Sequence, residues 1–253
     1  MFKNAIVRKP GKSLLNGITS ASLGKPDYNK ASAQHTAYVD ALQDCGVKVT
    51  VLEANEKFPD SVFVEDTAVV TAKCAIITNP GAAGRQGEEI EIKEALKEFY
   101  ENIESIQAPG TLDGGDIMMV GGHFYIGLSA RTNSDGAEQF TRILEKYGYT
   151  VSTVSLKKVL HLKTGLAYLE NNNLLVTGEF VDLPIFAKFN RIVVDEAESY
   201  AANSIWVNDK VIMPAGFEKT KKAVTEAGYE VLTVDASEFR KLDGGVSCMS
   251  LRF

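Results

Sequence analysis

The chain contains three cysteines, Cys45, Cys74 and Cys248, and three histidines, His35, His123 and His161, so the residues able to carry covalent or acid-base catalysis form a short list. Cys248 lies five residues from the C-terminus behind Asp243-Gly244-Gly245-Val246-Ser247, and His161 opens the segment His161-Leu162-Lys163-Thr164. Two carboxylate-rich segments accompany them, Asp60-Ser61-Val62-Phe63-Val64-Glu65-Asp66 and Leu112-Asp113-Gly114-Gly115-Asp116. A cysteine attacks as its thiolate and needs a base or a cation beside it. A histidine that moves protons needs a carboxylate to orient it, and further carboxylates hold a cationic substrate by charge-assisted hydrogen bonds. Gathered in one cavity, these residues suit nucleophilic attack on a cationic group.

Taken singly, each has a plainer reading. Cys248 in an apolar C-terminal strand fits as a small core residue, and His161 between leucines fits as a partly buried side chain with its polar atoms satisfied. Asp-Gly-Gly-Asp reads equally well as a turn, and Glu65-Asp66 as a solvated sheet edge. A zinc or two-metal site is a competing use of Asp, His and Cys. It usually draws two ligands from a short spacing, whereas Asp113, His161 and Cys248 are about 48 to 135 residues apart, and no metal is expected. Gly114-Gly115 lacks the lysine or helix start of a phosphate-binding loop. Position in the fold has to decide.

A recurring pair of short apolar runs supplies that position. Ala68–Val70 and Cys74–Ile77, Ile117–Val120 and Phe124–Ile126, Leu166–Leu169 and Leu174–Val176, and Ile205–Val207 and Val211–Met213 each read as a β-hairpin. Their turns centre near Ala72, Gly121, Asn172 and Asn208, spacings of about 49, 51 and 36 residues, within the range of propeller-like arrays. Amphipathic helices follow the first two, through Ile92, Ala95, Leu96 and Phe99, and through Ala137, Phe140, Ile143, Leu144 and Tyr147. Phe217 to Gly228 repeats the pattern, while Val181 to Asn190 is short and holds Pro184. Third strands are expected at 103–106, 150–154, 192–194 and 231–234.

The N-terminal segment fits the same scheme, with Ala33, Ala37, Tyr38, Ala41, Leu42 and Cys45 on one helix face and a strand over 47–52. Its missing hairpin would come from both chain ends, Ala5–Val7 pairing with Ser247–Leu251. The expectation is a single-domain α/β ring of five ββαβ units over residues 1–253, with a plain α/β sandwich as the alternative. The polar segments precede the first strand of successive hairpins, and a ring turns that position toward its axis. Cys248, His161, Asp113 and Asp66 would then meet.

Composition removes other classes of function. With 33 acidic against 27 basic residues, a net charge of −6, and no basic stripe, the chain offers no nucleic-acid surface. An odd number of cysteines with no close pair excludes a disulfide framework or a CxxC motif. No apolar run approaches a membrane span, and Met1 to Val7 lacks the pattern of a signal peptide, so a cytoplasmic protein is expected.

At these residues the sequence resembles the dimethylarginine dimethylaminohydrolases, in particular bacterial members of that family within the guanidine-modifying, or pentein, superfamily. The resemblance runs through Leu23-Gly24-Lys25-Pro26-Asp27-Tyr28, Phe58 to Asp66, Ser129-Ala130-Arg131-Thr132-Asn133, Leu160-His161-Leu162-Lys163 and Gly244 to Phe253. It implies the five-fold α/β propeller and a cofactor-independent hydrolysis of methylated arginine to citrulline. It further implies Cys248 as nucleophile, His161 as general acid and base, and Asp113 orienting His161. Asp66 and Glu65, helped by Asp60, would hold the guanidinium. Arg85, in the flexible-looking loop from Gly81, and Arg131 would bind the α-carboxylate, as two guanidinium forks are suited to do. Backbone carbonyls near Ile18 and Leu242 would receive the α-amino group. Asp113 stands where some bacterial relatives have Glu, and Ile18 where Leu is common.

Arginine deiminase and citrulline hydrolase chemistry use the same nucleophile and differ in the leaving group. A catalytically silent pentein-fold binding module would share the ring without keeping Cys, His, the carboxylates and both arginines together. The expected partner is a small molecule, with a homodimer allowed for.

Overall fold

The computed structural model describes residues 1–253, and its strands form five three-stranded sheets. Strand β1 is Asn4–Arg8, helix α1 is Tyr28–Asp44 and β2 is Lys48–Leu52. The first complete unit holds β3 (Ala68–Val70), β4 (Ala75–Ile77), α2 (Glu89–Leu96) and β5 (Ile103–Ser105). The second holds β6 (Ile117–Val120), β7 (His123–Leu128), α3 (Ser134–Lys146) and β8 (Thr150–Ser155). The third has β9 (Leu166–Tyr168), β10 (Asn173–Val176) and β11 (Asn190–Val193). The fourth has β12 (Ile205–Val207), β13 (Lys210–Pro214), α4 (Glu218–Glu226) and β14 (Glu230–Val234). After the short helix α5 (Ser237–Arg240), β15 (Leu251–Arg252) completes the fifth unit.

In every sheet the first strand pairs antiparallel with the middle strand, which pairs parallel with the third. A parallel pair needs a crossover between its strands, and α1 to α4 supply it in four of the five units. The ring closes where Ala5 pairs with Arg252 and Ile6 with Leu251, with Phe253 O accepting from the amides of Lys3 and Asn4. Hairpin turns bend where the residues permit it. Gly121, Asn171, Asn172, Asn208 and Asp209 all have positive φ, the conformation that glycine and the Asx residues tolerate in tight turns.

The short segment of the third unit holds no α-helix: Gly178–Phe180 and Pro184–Phe186 form 3₁₀ turns, because Pro184 cannot continue a helix begun before it. Two expectations are corrected. In α1 the buried face is Ala31, Gln34, His35, Tyr38, Ala41 and Leu42, while Ala33 and Ala37 face solvent. Polar Gln34 and His35 occupy places that an apolar count misses. Ser247–Leu251 is not a continuous strand, since Ser247–Met249 turns as a 3₁₀ segment and only Leu251–Arg252 pairs.

The largest apolar cluster packs α1 against β1, Phe63, Phe239, Leu242, Val246 and Met249, so the segment around Cys248 has a fixed apolar backing. Full burial of Phe239, edge-on to Phe63 at 6.1 Å between centroids, contributes roughly 1.5–3 kcal/mol.

Candidate active site

A 3₁₀ turn precedes the first strand of each unit: Val64–Thr67, Gly114–Asp116, Leu162–Thr164, Glu196–Ala202 and Ser247–Met249. The sheets therefore hand five polar turns toward one axis. Three loops that follow middle strands arrive from the side, carrying Ile18 after β1, Arg85 after β4 and Arg131 after β7. A cavity of about 30 Å³ lies at their junction. Cys248, His161, Asp66, Asp60, Arg85, Arg131, Ile18 and Leu242 line it, together with Leu160 and Asp243.

Asp113 and Glu65, also expected here, lie outside the cavity wall. Asp113 is fully buried behind His161, with Oδ2 3.1 Å from Nε2 and Oδ1 accepting from Gly81 N at 2.8 Å. The shorter side chain reaches because Gly115 lets the imidazole approach. A Cβ there would stand 2.8 Å from His161 Nδ1 and 2.9 Å from Asp66 Oδ1. Gly114 is as tightly constrained, its absent Cβ lying 2.0 Å from Glu65 O. Asp113-Gly114-Gly115-Asp116 is thus a close-packing turn. Asp116 anchors it, with Oδ1 accepting from Leu162 N at 3.0 Å and Oδ2 from the hydroxyls of Ser129 and Thr132 at 2.6 and 2.7 Å.

Glu65, expected to hold the guanidinium, is engaged with other side chains of the protein. Its Oε1 pairs with Lys163 Nζ at 2.6 Å and Arg252 Nη2 at 3.6 Å, and its Oε2 accepts from Ser247 Oγ at 2.8 Å. With Lys163 and Arg252 it lines a second cavity of about 170 Å³, walled largely by the first strands.

The two arginines differ sharply. Arg85 is buried, with Nη1 2.5 Å from Asp66 Oδ2, Nε and Nη2 on the Glu88 carboxylate, and Nη2 also on the carbonyls of Asp60 and Phe63. It neutralises two buried carboxylates and presents one edge to the cavity. The half-buried guanidinium of Arg131 has no hydrogen-bond partner in the protein and is free for an anion. The Gly81 loop is also pinned rather than flexible. It packs so closely that a Cβ on Gly81 would lie 2.2 Å from Arg131 O, and Ala83–Arg85 form a 3₁₀ turn.

The electrostatics follow from burial and these pairings. Burial opposes a charge on His161, but Asp66, Asp113 and Asp116 outweigh it and raise its pKa to about 9. Burial works against the Asp66 carboxylate too, yet His161 and Arg85 hold it below the usual range. Burial pushes the Cys248 thiol up to about 12, and Glu65 and Asp66 add to the shift. At neutral pH the site therefore rests as thiol, imidazolium and carboxylate. Asp60 is raised by burial against the opposing pull of Arg85, and both its oxygens accept from Ile18 N, at 3.1 and 3.2 Å.

Ligand atoms of Asp66, Asp113 and His161 lie within 4.8 Å of one another, the spacing of a metal site. Asp66 Oδ2 is engaged by Arg85 and His161 Nε2 by Asp113.

The segment over the cavity is fastened by Thr19 Oγ1 to Lys241 O at 2.8 Å and by Ser20 N to Asp243 Oδ2 at 2.6 Å. Sequence reading assigned no role to Glu88, Lys163, Ser247 or Asn203. Glu88 alone carries a local signal, an acid three residues after Arg85.

Residues 23–252 match the family described as N,N dimethylarginine dimethylhydrolase, eukaryotic. The chain is 61% identical to the N(G),N(G)-dimethylarginine dimethylaminohydrolase of Pseudomonas aeruginosa over 100% of both, and 36% identical to that of Streptomyces coelicolor over 99% of this chain and 96% of the other. A solved structure of a cysteine-to-serine mutant of the Pseudomonas aeruginosa protein, complexed with citrulline, superposes with a TM-score of 0.99 at 60% identity, covering all of both chains. The N-terminal domain of a cyanobacterial arginine dihydrolase shares the fold, with a TM-score of 0.90 at 21% identity over 100% of this chain and 97% of that one. The five-fold propeller of this chain and its matches over the whole length place it in the dimethylarginine dimethylaminohydrolase family.

Proposed function

We propose that the protein hydrolyses Nω-methylated arginines, asymmetric dimethylarginine and monomethylarginine, to citrulline and dimethylamine or methylamine. The observation that carries this reading is one cavity lined by a half-buried thiol, a carboxylate-backed imidazolium, the carboxylates of Asp60 and Asp66 and an unpaired arginine. Asp66, with Asp60, receives the guanidinium, and Arg131 takes the α-carboxylate with the cavity-facing edge of Arg85 beside it. The carbonyls near Ile18 and Leu242 accept from the α-amino group. Glu65 acts from beneath, through Ser247, on the turn that carries Cys248.

The resting thiol is pushed up chiefly by burial, so a cationic substrate beside it draws the proton off to solvent. The thiolate then forms a C–S bond to the guanidinium carbon. As the C–N bond to the alkylated nitrogen breaks, His161 gives up its proton to the departing amine. Neutral His161 next removes a proton from water, and the hydroxide adds to the thiouronium carbon. The C–S bond breaks, and the proton left on the nascent carbonyl returns to sulfur. Water and the cationic substrate thus become citrulline and an alkylammonium ion. No redox step or cofactor is called for.

All 253 residues would act as one catalytic domain. The cytoplasm suits an enzyme whose three cysteines are free thiols, and light scattering decides between a monomer and the homodimer allowed for. The activity is tested by incubating the protein with asymmetric dimethylarginine, monomethylarginine, arginine and citrulline and quantifying citrulline, alkylamine, ammonia and ornithine. Release of citrulline with alkylamine supports the reading. Turnover of arginine far faster than of its methylated forms would overturn it.

A further inference from the structure

The fourth unit brings no reacting group to the cavity, yet its axial turn places one side chain at the junction of the other turns. Asn203 is buried, 7% exposed, at the end of the 3₁₀ turn and two residues before β12. Its Nδ2 donates to Lys163 O at 3.0 Å and to Ser247 Oγ at 3.0 Å, and its Oδ1 accepts from Ser247 N at 2.9 Å. A backbone N–H can only donate and a carbonyl oxygen can only accept, so these partners fix the orientation of the amide.

Lys163 is two residues from His161, and Ser247 precedes Cys248. The polar ring is completed by Ser247 Oγ donating to Glu65 Oε2 at 2.8 Å and by Lys163 Nζ to Glu65 Oε1 at 2.6 Å. Glu65 is in turn adjacent to Asp66. Four turns from four units are thereby joined under the cavity. Gly245 shows how closely the amide approaches, since a Cβ there would lie 2.3 Å from Asn203 Oδ1. The glycine leaves room for the clamp.

We propose that Asn203 is a positioning residue that sets the distance between Cys248 and His161 by clamping their two turns together. This rests on the activity proposed above, because the clamp matters for a reaction that uses both groups in one step. Other polar residues do not substitute for it. Aspartate keeps the shape and the acceptor for Ser247 N, but it turns an oxygen toward the carbonyl of Lys163 and adds a charge beside Glu65. Alanine removes all three bonds. Either change frees the Cys248 turn to move and to admit water, which weakens the burial that suppresses thiolate formation.

The test compares wild type, Asn203→Ala, Asn203→Asp and Ser247→Ala in steady-state turnover of dimethylarginine and in alkylation of Cys248 by iodoacetamide at pH 8 without substrate. The substrate itself is held by Asp66, Asp60 and Arg131. The clamp predicts kcat down on the order of a hundredfold in both Asn203 variants, the scale of an ångström-sized misplacement, with KM within about threefold. Ser247→Ala, which keeps the amide bond to Oδ1, should fall between these and wild type. Alkylation of Cys248 should become faster in Asn203→Ala and Ser247→Ala, which loosen the turn without adding a charge.

Unchanged kcat and alkylation in both Asn203 variants would overturn the clamp. So would a loss of kcat accompanied by labelling of buried Cys45 and Cys74, which would mark Asn203 as a general support of the fold. Should Asn203→Ala fail to fold, Asn203→Asp and Ser247→Ala carry the comparison. The alkylation arm needs no substrate, so a protein that leaves dimethylarginine untouched fails the proposed activity while still testing the clamp.

Discussion

His161 Nε2 and Asp113 Oδ2 stand 3.1 Å apart across two units of the ring, and the imidazole reaches that distance by lying against the bare Cα of Gly115. Asp113 is fully buried and its other oxygen is committed to Gly81 N, so it has one orientation to offer. Asp113→Asn keeps the shape but removes one of the charges that favour the imidazolium. The expected result is kcat lower by about 10²- to 10³-fold, KM little changed, and an NMR-titrated His161 pKa below its wild-type value. An unchanged His161 titration would contradict the pairing.

Gly115→Ala tests the close approach itself. The new methyl would stand 2.8 Å from Nδ1 and 2.9 Å from Asp66 Oδ1, so the ring or the carboxylate must move. Expected are a destabilisation of about 1–3 kcal/mol in urea unfolding and a kcat loss of two orders of magnitude or so. Wild-type kcat in this variant would show that the turn tolerates what its geometry forbids.

Much of this was legible in the sequence, for stated reasons. The ring followed from the recurrence of short apolar pairs and their turn residues, because a buried strand of three to six residues is announced by its apolar run and by the Asn or Gly that ends it. The end of the chain was not. Ser247 and Cys248 sit among apolar residues and read as strand, whereas Ser247–Met249 turns to meet Asn203 and Glu65, partners 44 and 182 residues away. The division of labour between Glu65 and Asp66 was equally hidden, since adjacent residues in a 3₁₀ turn point to different sides and only the ring says which side is which. Arg85 and Arg131 looked alike until Glu88 and Asp66 were seen to enclose one of them.

Arg85 and Arg131 should therefore respond differently to alanine. Removing Arg85 strands Asp66 and Glu88 as unpaired buried carboxylates, and a loss of about 3–5 kcal/mol in stability is expected along with lost turnover. Arg131→Ala should leave the melting temperature within a few degrees and raise KM at least about tenfold, the scale of a charge-assisted bond to the substrate carboxylate. Unchanged KM in Arg131→Ala would refute its assignment.

The pH dependence of stability has a definite sign. Between the ordinary histidine value of 6.5 and about 9, the folded protein keeps a proton on His161 that the unfolded chain has released. The stabilisation from this imidazolium is fully present below pH 6.5 and is lost as pH rises toward 9, on the order of a few kcal/mol in all. The measurement is the difference in unfolding free energy between wild type and His161→Gln across that window. It should shift against wild type with rising pH, and a flat difference would mean that His161 is neutral in the fold.

The thiouronium intermediate offers the most direct test of Cys248 as the nucleophile. Acid-quenched turnover mixtures, digested and analysed by mass spectrometry, should carry an adduct on the Cys248 peptide of the same mass whether the substrate was monomethylarginine or dimethylarginine, because the alkylamine has already left. Cys248→Ser should form neither this adduct nor citrulline at a measurable rate. An adduct that retains the methyl groups, or full turnover by Cys248→Ser, would contradict attack by this thiol on the guanidinium carbon.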